Sequence, residues 1–271
     1  MNHLQKVGAV ALILSCILSF KCESLPGLGG LGGGAGASDA EMADLGAAAF
    51  EDLKKKIPVS NDPRANAYVR CVANSIISIT QDPTGVKDWE IVVFQEPSAN
   101  AFALPGGKIG VHTGLFPVAT NQDMLAAVLG HEVGHVIKRH GASRMQSGTL
   151  AGVGVGMMDK MISADNPLKG TIMAGIGLGA QYGVVMPFGR SQESEADLVG
   201  LDLMAKAGFD PTQSIMLWKN MSAAGGSKTP QFMSTHPSSE TRIKELQANM
   251  NKALSTRAQA QSLGKNPACR L

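Results

Sequence analysis

Two histidines four residues apart, with a glutamate beside the first, carry the chemistry of this chain: His131-Glu132-Val133-Gly134-His135. On a helix, positions i and i+4 share a face, so both imidazoles can reach one metal ion. Zinc held this way lowers the pKa of its water to about 7, and Glu132 can take the proton as hydroxide attacks a carbonyl. The pattern points to metal-assisted hydrolysis with one zinc ion as cofactor. A surface helix that merely carries two histidines is the alternative, and the demanding five-residue spacing argues against it.

Catalytic zinc needs three protein ligands and one open position. In one arrangement a further histidine follows as H-E-x-x-H-x-x-G-x-x-H. Here Lys138 stands where that scheme needs Gly and Gly141 where it needs His. His140 is one residue off, about 100° around the helix, so this arrangement is excluded. The other source is a carboxylate on a later helix. Gln192-Glu193-Ser194-Glu195-Ala196-Asp197 places Glu193 and Asp197 on one face. Glu193 is the candidate third ligand, and Asp197 can hold a ligating imidazole by its other ring nitrogen. Taken alone, such a carboxylate pair is usually a surface feature; the upstream motif raises its standing. Glu195 reads as solvated, and packing or solvation suffices for His112 and His140.

The motif needs a rigid carrier, and residues 121–141 read as one helix. Asp123 or Asn121 is the N-cap, and Gly141 lies just past the end. Leu125, Val128, Leu129, Val136 and Ile137 recur at helical spacing and should face the core. Gly130 and Gly134 each cost about 1 kcal/mol in a helix interior relative to Ala, so a close approach is expected there.

Upstream, Glu41–Lys56 and Pro63–Thr80 read as helices, the first with Met42, Leu45, Phe50 and Leu53 inward. Trp89–Phe94, Asn100–Leu104 and Lys108–His112 read as three strands of a small antiparallel sheet, with Pro105-Gly106-Gly107 as a turn. An edge of that sheet could bind an extended peptide by strand addition; a purely structural sheet is the alternative. Ala142–Met186 reads as two small-residue helices or a hairpin, too short and polar to cross a membrane. Ser191–Gly208 and Pro211–Ala224 read as helices, and a last one runs over about Ser238–Leu254.

The N-terminus reads as a targeting segment: a short basic start, then an apolar run over 7–20. Ile13-Leu14-Ser15-Cys16 has the look of a bacterial lipobox, which makes Cys16 the lipidation candidate; an ordinary cleaved signal peptide is the alternative. The chain is therefore expected to be exported to the periplasmic side of an outer membrane, held there by a lipid, or else soluble in the periplasm or secreted. Export leaves Cys71 and Cys269 in an oxidising compartment, where they suggest one disulfide; two free thiols are the alternative. Net charge is +2 and no basic stripe is evident, so nucleic acid is not a suggested partner. The expected organisation is a signal and anchor region over 1–22, a Gly-rich linker over 23–38, a catalytic domain over 39–254 and a tail over 255–271.

With these segments in hand, the chain resembles the zinc metallopeptidases of family M48, of the HtpX and CAAX prenyl endopeptidase type. HEVGH, the later Glu-x-x-x-Asp within GRSQESEADLVG, NAFALPGGKIGVHTGL and STHPSSETRI all match, over roughly residues 40–250. Its organisation is similar to the short periplasmic lipoproteins of that family, the LoiP type. The resemblance implies an α+β, mostly helical zincin-type domain with the sheet beside the HExxH helix. It implies His131, His135 and Glu193 as zinc ligands and Glu132 as general base. It also implies that Asn100 helps hold the substrate backbone and that Arg242 supports the site. His236 would stabilise the oxyanion or, in a resting form, fill the open zinc position. The implied function is endoproteolysis of unfolded or misassembled cell-envelope proteins. A chaperone-like or assembly factor with latent proteolysis is the alternative.

Overall fold

The structure, a computed structural model, describes residues 37–150, 188–224, 231–237 and 240–271. The targeting segment with Cys16, nearly all of the Gly-rich linker and most of the expected 142–186 hairpin lie outside the described residues.

Helix α1 (Asp39–Lys56) begins with a capping box: Ser38 Oγ accepts the N–H of Glu41. Its buried face carries Met42, Leu45, Phe50 and Leu53, as the periodicity required. Helix α2 (Pro63–Ile77) starts on Asp62, whose carboxylate accepts the N–H of Arg64. Proline at the first helical position supplies the φ a helix needs and lacks only a donor that would have no partner.

Strands β1 (Glu90–Phe94), β2 (Ala101–Leu104) and β3 (Lys108–His112) form one sheet in the order β1-β3-β2. β2 and β3 are an antiparallel hairpin across the expected turn. β1 pairs with the far side of β3 in parallel, with Ile91 opposite Ile109 and Val93 opposite Val111. The sheet is thus mixed, where an all-antiparallel one was expected. The six residues after β1 carry the chain past the position of β3 before it turns, which leaves β2 at an edge.

Helix α3 (Gln122–Ile137) is the central element. It is capped by Asn121, whose side chain accepts the N–H groups of Asp123 and Met124, so Asp123 is not the cap. Every residue from Met124 to Val136 is buried. The helix does not run on to Gly141. It stops at Lys138, and Arg139 takes the left-handed conformation with φ 55°. The Arg139 guanidinium makes two 2.7 Å bonds to Asp39 and donates to the carbonyl of Pro83. A new helix, α4 (His140–Leu150), begins directly after this break.

Helices α5 (Arg190–Lys206), α6 (Gln213–Ala224), the short α7 (Gln231–Thr235) and α8 (Glu240–Ser262) complete the described fold. α5 lies against α3 at backbone distance. A Cβ on Gly130 would stand 2.9 Å from the carbonyl oxygen of Gly200, one on Gly134 3.1 Å from that of Ala196, and one on Gly200 2.6 Å from the amide nitrogen of His131. The glycines of α3 therefore meet the close approach they implied, and this approach brings the acidic face of α5 to the HExxH face. Met204 and Leu201 of α5, Trp218 and Met221 of α6 and Leu246 of α8 share one core with α2, α3 and the sheet.

α8 continues eight residues beyond its expected end at Leu254, and the tail after it is tied down. Cys71 and Cys269 are disulfide-bonded, with Cα atoms 5.7 Å apart. Gln122 both accepts from the Cys269 N–H and donates to the Pro267 carbonyl, so the tail lies over the start of α3. Among the described residues no helix is long and apolar enough to cross a membrane.

Candidate metal centre

Four buried side chains bring one donor atom each to within 4.8 Å of one another: His131, His135, Glu193 and His236. The Nε2 atoms of His131 and His135 are 3.0 Å apart, and His236 Nδ1 is 3.1 Å from His131 Nε2. Glu193 Oε1 lies 3.0 Å from His236 Nδ1 and 3.5 Å from His135 Nε2, and its Oε2 lies 3.6 Å from His131 Nε2. With the Nδ1 proton of His131 given to Asp197, its Nε2 is a lone-pair donor turned toward His135 Nε2 at 3.0 Å, as two ligands of one cation would be. Four donors around one centre at these spacings fit a metal ion: ligands about 2.1 Å from a tetrahedral metal stand about 3.4 Å from one another. The donor set, three imidazoles and one carboxylate, suits a borderline divalent cation.

The supporting bonds run outward from this centre. His131 Nδ1 donates to Asp197 at 3.0 Å. Arg242 donates to both oxygens of Asp197, at 2.6 and 2.8 Å, and its Nη1 lies 2.6 Å from Glu193 Oε2. The guanidinium also stacks on Trp218, 4.3 Å from the ring centre. Arg242 is only 2% exposed, so among the described residues its charge is matched by these two carboxylates, and it also donates to the Pro237 carbonyl.

Glu132 lies beside the donor cluster. Its Oε2 accepts the N–H of Ala103 from strand β2 at 3.0 Å, and its Oε1 is 3.3 Å from His236 Nε2. Asn100, at the start of β2, is buried, and its side-chain oxygen has no hydrogen-bond partner among the described residues. The His112 N–H bonds to the Asn100 carbonyl, so along β2 the backbone groups of Ala101 and Ala103 turn away from β3. A cleft of about 350 Å³ follows this edge, lined by Ala103, Leu104, Pro105, His135, Arg144 and Phe188.

Burial sets the electrostatics. It pushes the Glu132 carboxyl up, against the opposing pull of His236 and His131. It pushes His135 well down. For Glu193, burial acts upward, but hydrogen bonds from His135 and His236 hold the carboxyl well below the usual range. Asp197 is likewise held low, with Arg242 and His131 outweighing burial. A carboxylate kept ionised beside a carboxylate kept basic is the division of roles a metal hydrolase needs.

The structure brings His131, Glu132, His135, Glu193, Asp197, His236 and Arg242 together on the HExxH face, and Asn100 stands just before β2. It also adds three. His140 Nδ1 is 2.9 Å from His135 Nδ1, and Glu195 accepts from His140 Nε2 at 3.2 Å, so neither side chain is idle. Gly200 completes the close contact of α3 with α5. Phe188 and Phe232 stack on the two sides of His236, at 5.3 and 4.5 Å between ring centres. Ala196 and Gly200, small residues four apart as Gly130 and Gly134 are, were a readable signal for the close packing.

The model of peptidase family M48 matches residues 63–250. The chain belongs to family M48. It is 37% identical over 184 residues to the mitochondrial metalloendopeptidase OMA1 of Schizosaccharomyces pombe, an alignment covering 66% of this chain and 51% of that protein. It is 32% identical over 219 residues to OMA1 of Bos taurus, covering 78% of this chain and 42% of that one. It is 29% identical over 237 residues to the β-barrel assembly-enhancing protease of Yersinia pestis, covering 84% and 47%. The chain spans about half the length of the curated relatives it matches. As a member of M48, it carries the family's HExxH helix on α3 and the later Glu-x-x-x-Asp on α5.

Proposed function

We propose that this chain is a zinc-dependent metalloendopeptidase that cleaves extended polypeptides. The observation that carries the reading is the convergence of His131, His135 and Glu193 on one point with Glu132 alongside, in a chain of family M48. Those three residues hold the ion. The chemistry such an ion would supply is Lewis acidity toward a carbonyl and a water acidic enough to lose a proton near neutral pH.

The chain's own groups do the rest. Glu132 takes the proton at Oε1, while its other oxygen is held by Ala103. Asp197 fixes His131, and Arg242 fixes Glu193 and Asp197 together. The outward backbone groups of Ala101 and the Ala103 carbonyl, whose own N–H stays with Glu132, bind substrate as an added strand, through contacts that carry little sequence preference. The Asn100 side-chain oxygen takes a substrate N–H. His236 would supply a fourth donor to the ion in the resting form and, once displaced, would donate to the oxyanion.

Unfolded or misassembled envelope proteins are the substrates this reading favours. A lipid on Cys16 would hold the enzyme at the periplasmic side of an outer membrane. The lipobox-like segment supports that placement, and the likeness to the β-barrel assembly-enhancing protease of Yersinia pestis supports the substrate class. A chaperone-like factor with latent proteolysis is the second reading, favoured by a site that already contains four protein donors.

The test is casein cleavage together with zinc content for the wild type and Glu132→Gln. The enzyme reading expects Glu132→Gln to keep its zinc and lose about 10²–10⁴-fold in kcat. Undiminished cleavage by Glu132→Gln rejects it. Cellular function that survives the substitution moves the assignment to the second reading.

A further inference from the structure

We infer that His140 and Glu195 are positioning residues for His135, fixing the tautomer in which it ligates metal; this rests on the metal-centre reading above. To offer Nε2 to a cation, a neutral imidazole must carry its proton on Nδ1 and give it to an acceptor. His135 Nδ1 faces His140 Nδ1 at 2.9 Å. His140 therefore accepts at Nδ1 and carries its own proton on Nε2. That Nε2 stands 3.2 Å from Glu195 Oε2, which accepts it. The other oxygen of Glu195 is 2.7 Å from the ammonium of Lys138. Each group in the chain His135–His140–Glu195 then has one protonation state that satisfies both neighbours, and Lys138 anchors the far end.

Helical periodicity did not place His140 there. Five residues along an uninterrupted helix, it would point about 140° away from His135. The left-handed residue at Arg139 turns the chain back, and the Asp39 carboxylate and Pro83 carbonyl hold Arg139 in that break. A buried His140 reaching an exposed Glu195 is the product of this turn. The two ligands of α3 are thereby supported differently. His131 gives its proton to a carboxylate paired with Arg242, whereas His135 gives its proton to a neutral ring backed by a carboxylate one bond further out.

Competition with a chromophoric chelator on the purified full chain measures the zinc dissociation constant. His140→Leu, which removes the acceptor, is expected to weaken zinc binding about 10–100-fold. His140→Asn, whose side-chain carbonyl can accept the same proton, is expected to stay within about threefold of wild type. Long-range ¹⁵N–¹H correlation spectra of the zinc-loaded wild type should show His140 protonated on Nε2 and His135 on Nδ1. Wild-type affinity in His140→Leu, equal loss in both variants, or a His140 protonated on Nδ1 overturns the assignment. If His140→Leu does not fold, the wild-type spectra decide. A wild type that binds no zinc would instead sink the metal-centre reading itself.

Discussion

The carboxylate of Glu132 accepts the backbone N–H of Ala103 at 3.0 Å, so the proposed base is tied to the edge strand that would receive substrate. Ala103 faces away from β3, so its N–H belongs to no sheet ladder. Ala103→Pro should therefore remove the donor without unpairing the sheet, because proline is tolerated on the outward side of an edge strand. Losing one hydrogen bond to a charged group, about 1.5–3 kcal/mol, should lower kcat about 10–100-fold with zinc affinity unchanged. Steady-state kinetics with a chelator titration check this; unchanged kcat would show that the bond does not orient the base.

Arg242 is the counterion shared by Glu193 and Asp197. Lysine cannot reproduce its two-pronged contact with Asp197. Arg242→Lys should destabilise the metal-free protein by about 3–5 kcal/mol, the cost of leaving buried carboxylates poorly matched. It should also weaken zinc binding at least about tenfold, since both Glu193 and the support of His131 loosen. Urea unfolding in chelator and zinc competition measure the two effects. Wild-type values in both would show that Arg242 is a bystander.

His236 brings a donor atom to the cluster, at the fourth position of the proposed zinc site, and is clasped between Phe188 and Phe232. His236→Ala should free that position. A rise in casein cleavage of about tenfold corresponds to a closed form favoured by about 1.4 kcal/mol. A fall in cleavage would show that the residue serves the transition state without restraining the resting enzyme.

His112 is buried outside the four-donor cluster, with Nδ1 bonded to Ser98 and Phe94 and Phe102 against its ring. Burial lowers its pKa below the ordinary 6.5. Above that pH both folded and unfolded forms are neutral there, and His112 contributes no pH dependence. Below it the unfolded chain takes up a proton that the fold resists, so stability falls as pH falls, by up to about 1.4 kcal/mol per unit. His112→Gln should flatten that slope between about pH 6.5 and 5 in urea unfolding with chelator present. An identical slope in the variant would place the acid sensitivity elsewhere.

What the sequence disclosed follows the range of the interactions involved. HExxH was legible because its geometry is set within one helical turn, and Glu193 with Asp197 because an i, i+4 pair keeps its face in any helix. Gly130 and Gly134 announced a close neighbour, though not that Gly200 would be it. The break at Arg139 was hidden, because residues distant in the chain, Asp39 and Pro83, hold it. His140 and Glu195 were hidden with it. The parallel pairing of β1 with β3 was also hidden, since Ile91 and Val93 suit either direction of partner. The tie between the tail and α2 was legible across 198 positions, because Cys71 and Cys269 were the two cysteines left to pair; the bonds of Gln122 that lay the tail over the start of α3 were not.

Metal analysis of the purified full chain, wild type against Glu193→Ala, tests the central claim most directly. The account predicts close to one zinc per wild-type chain, and loss of both the metal and casein cleavage in Glu193→Ala. Zinc bound equally by the two proteins, or a cleaving wild type with no metal, would contradict it.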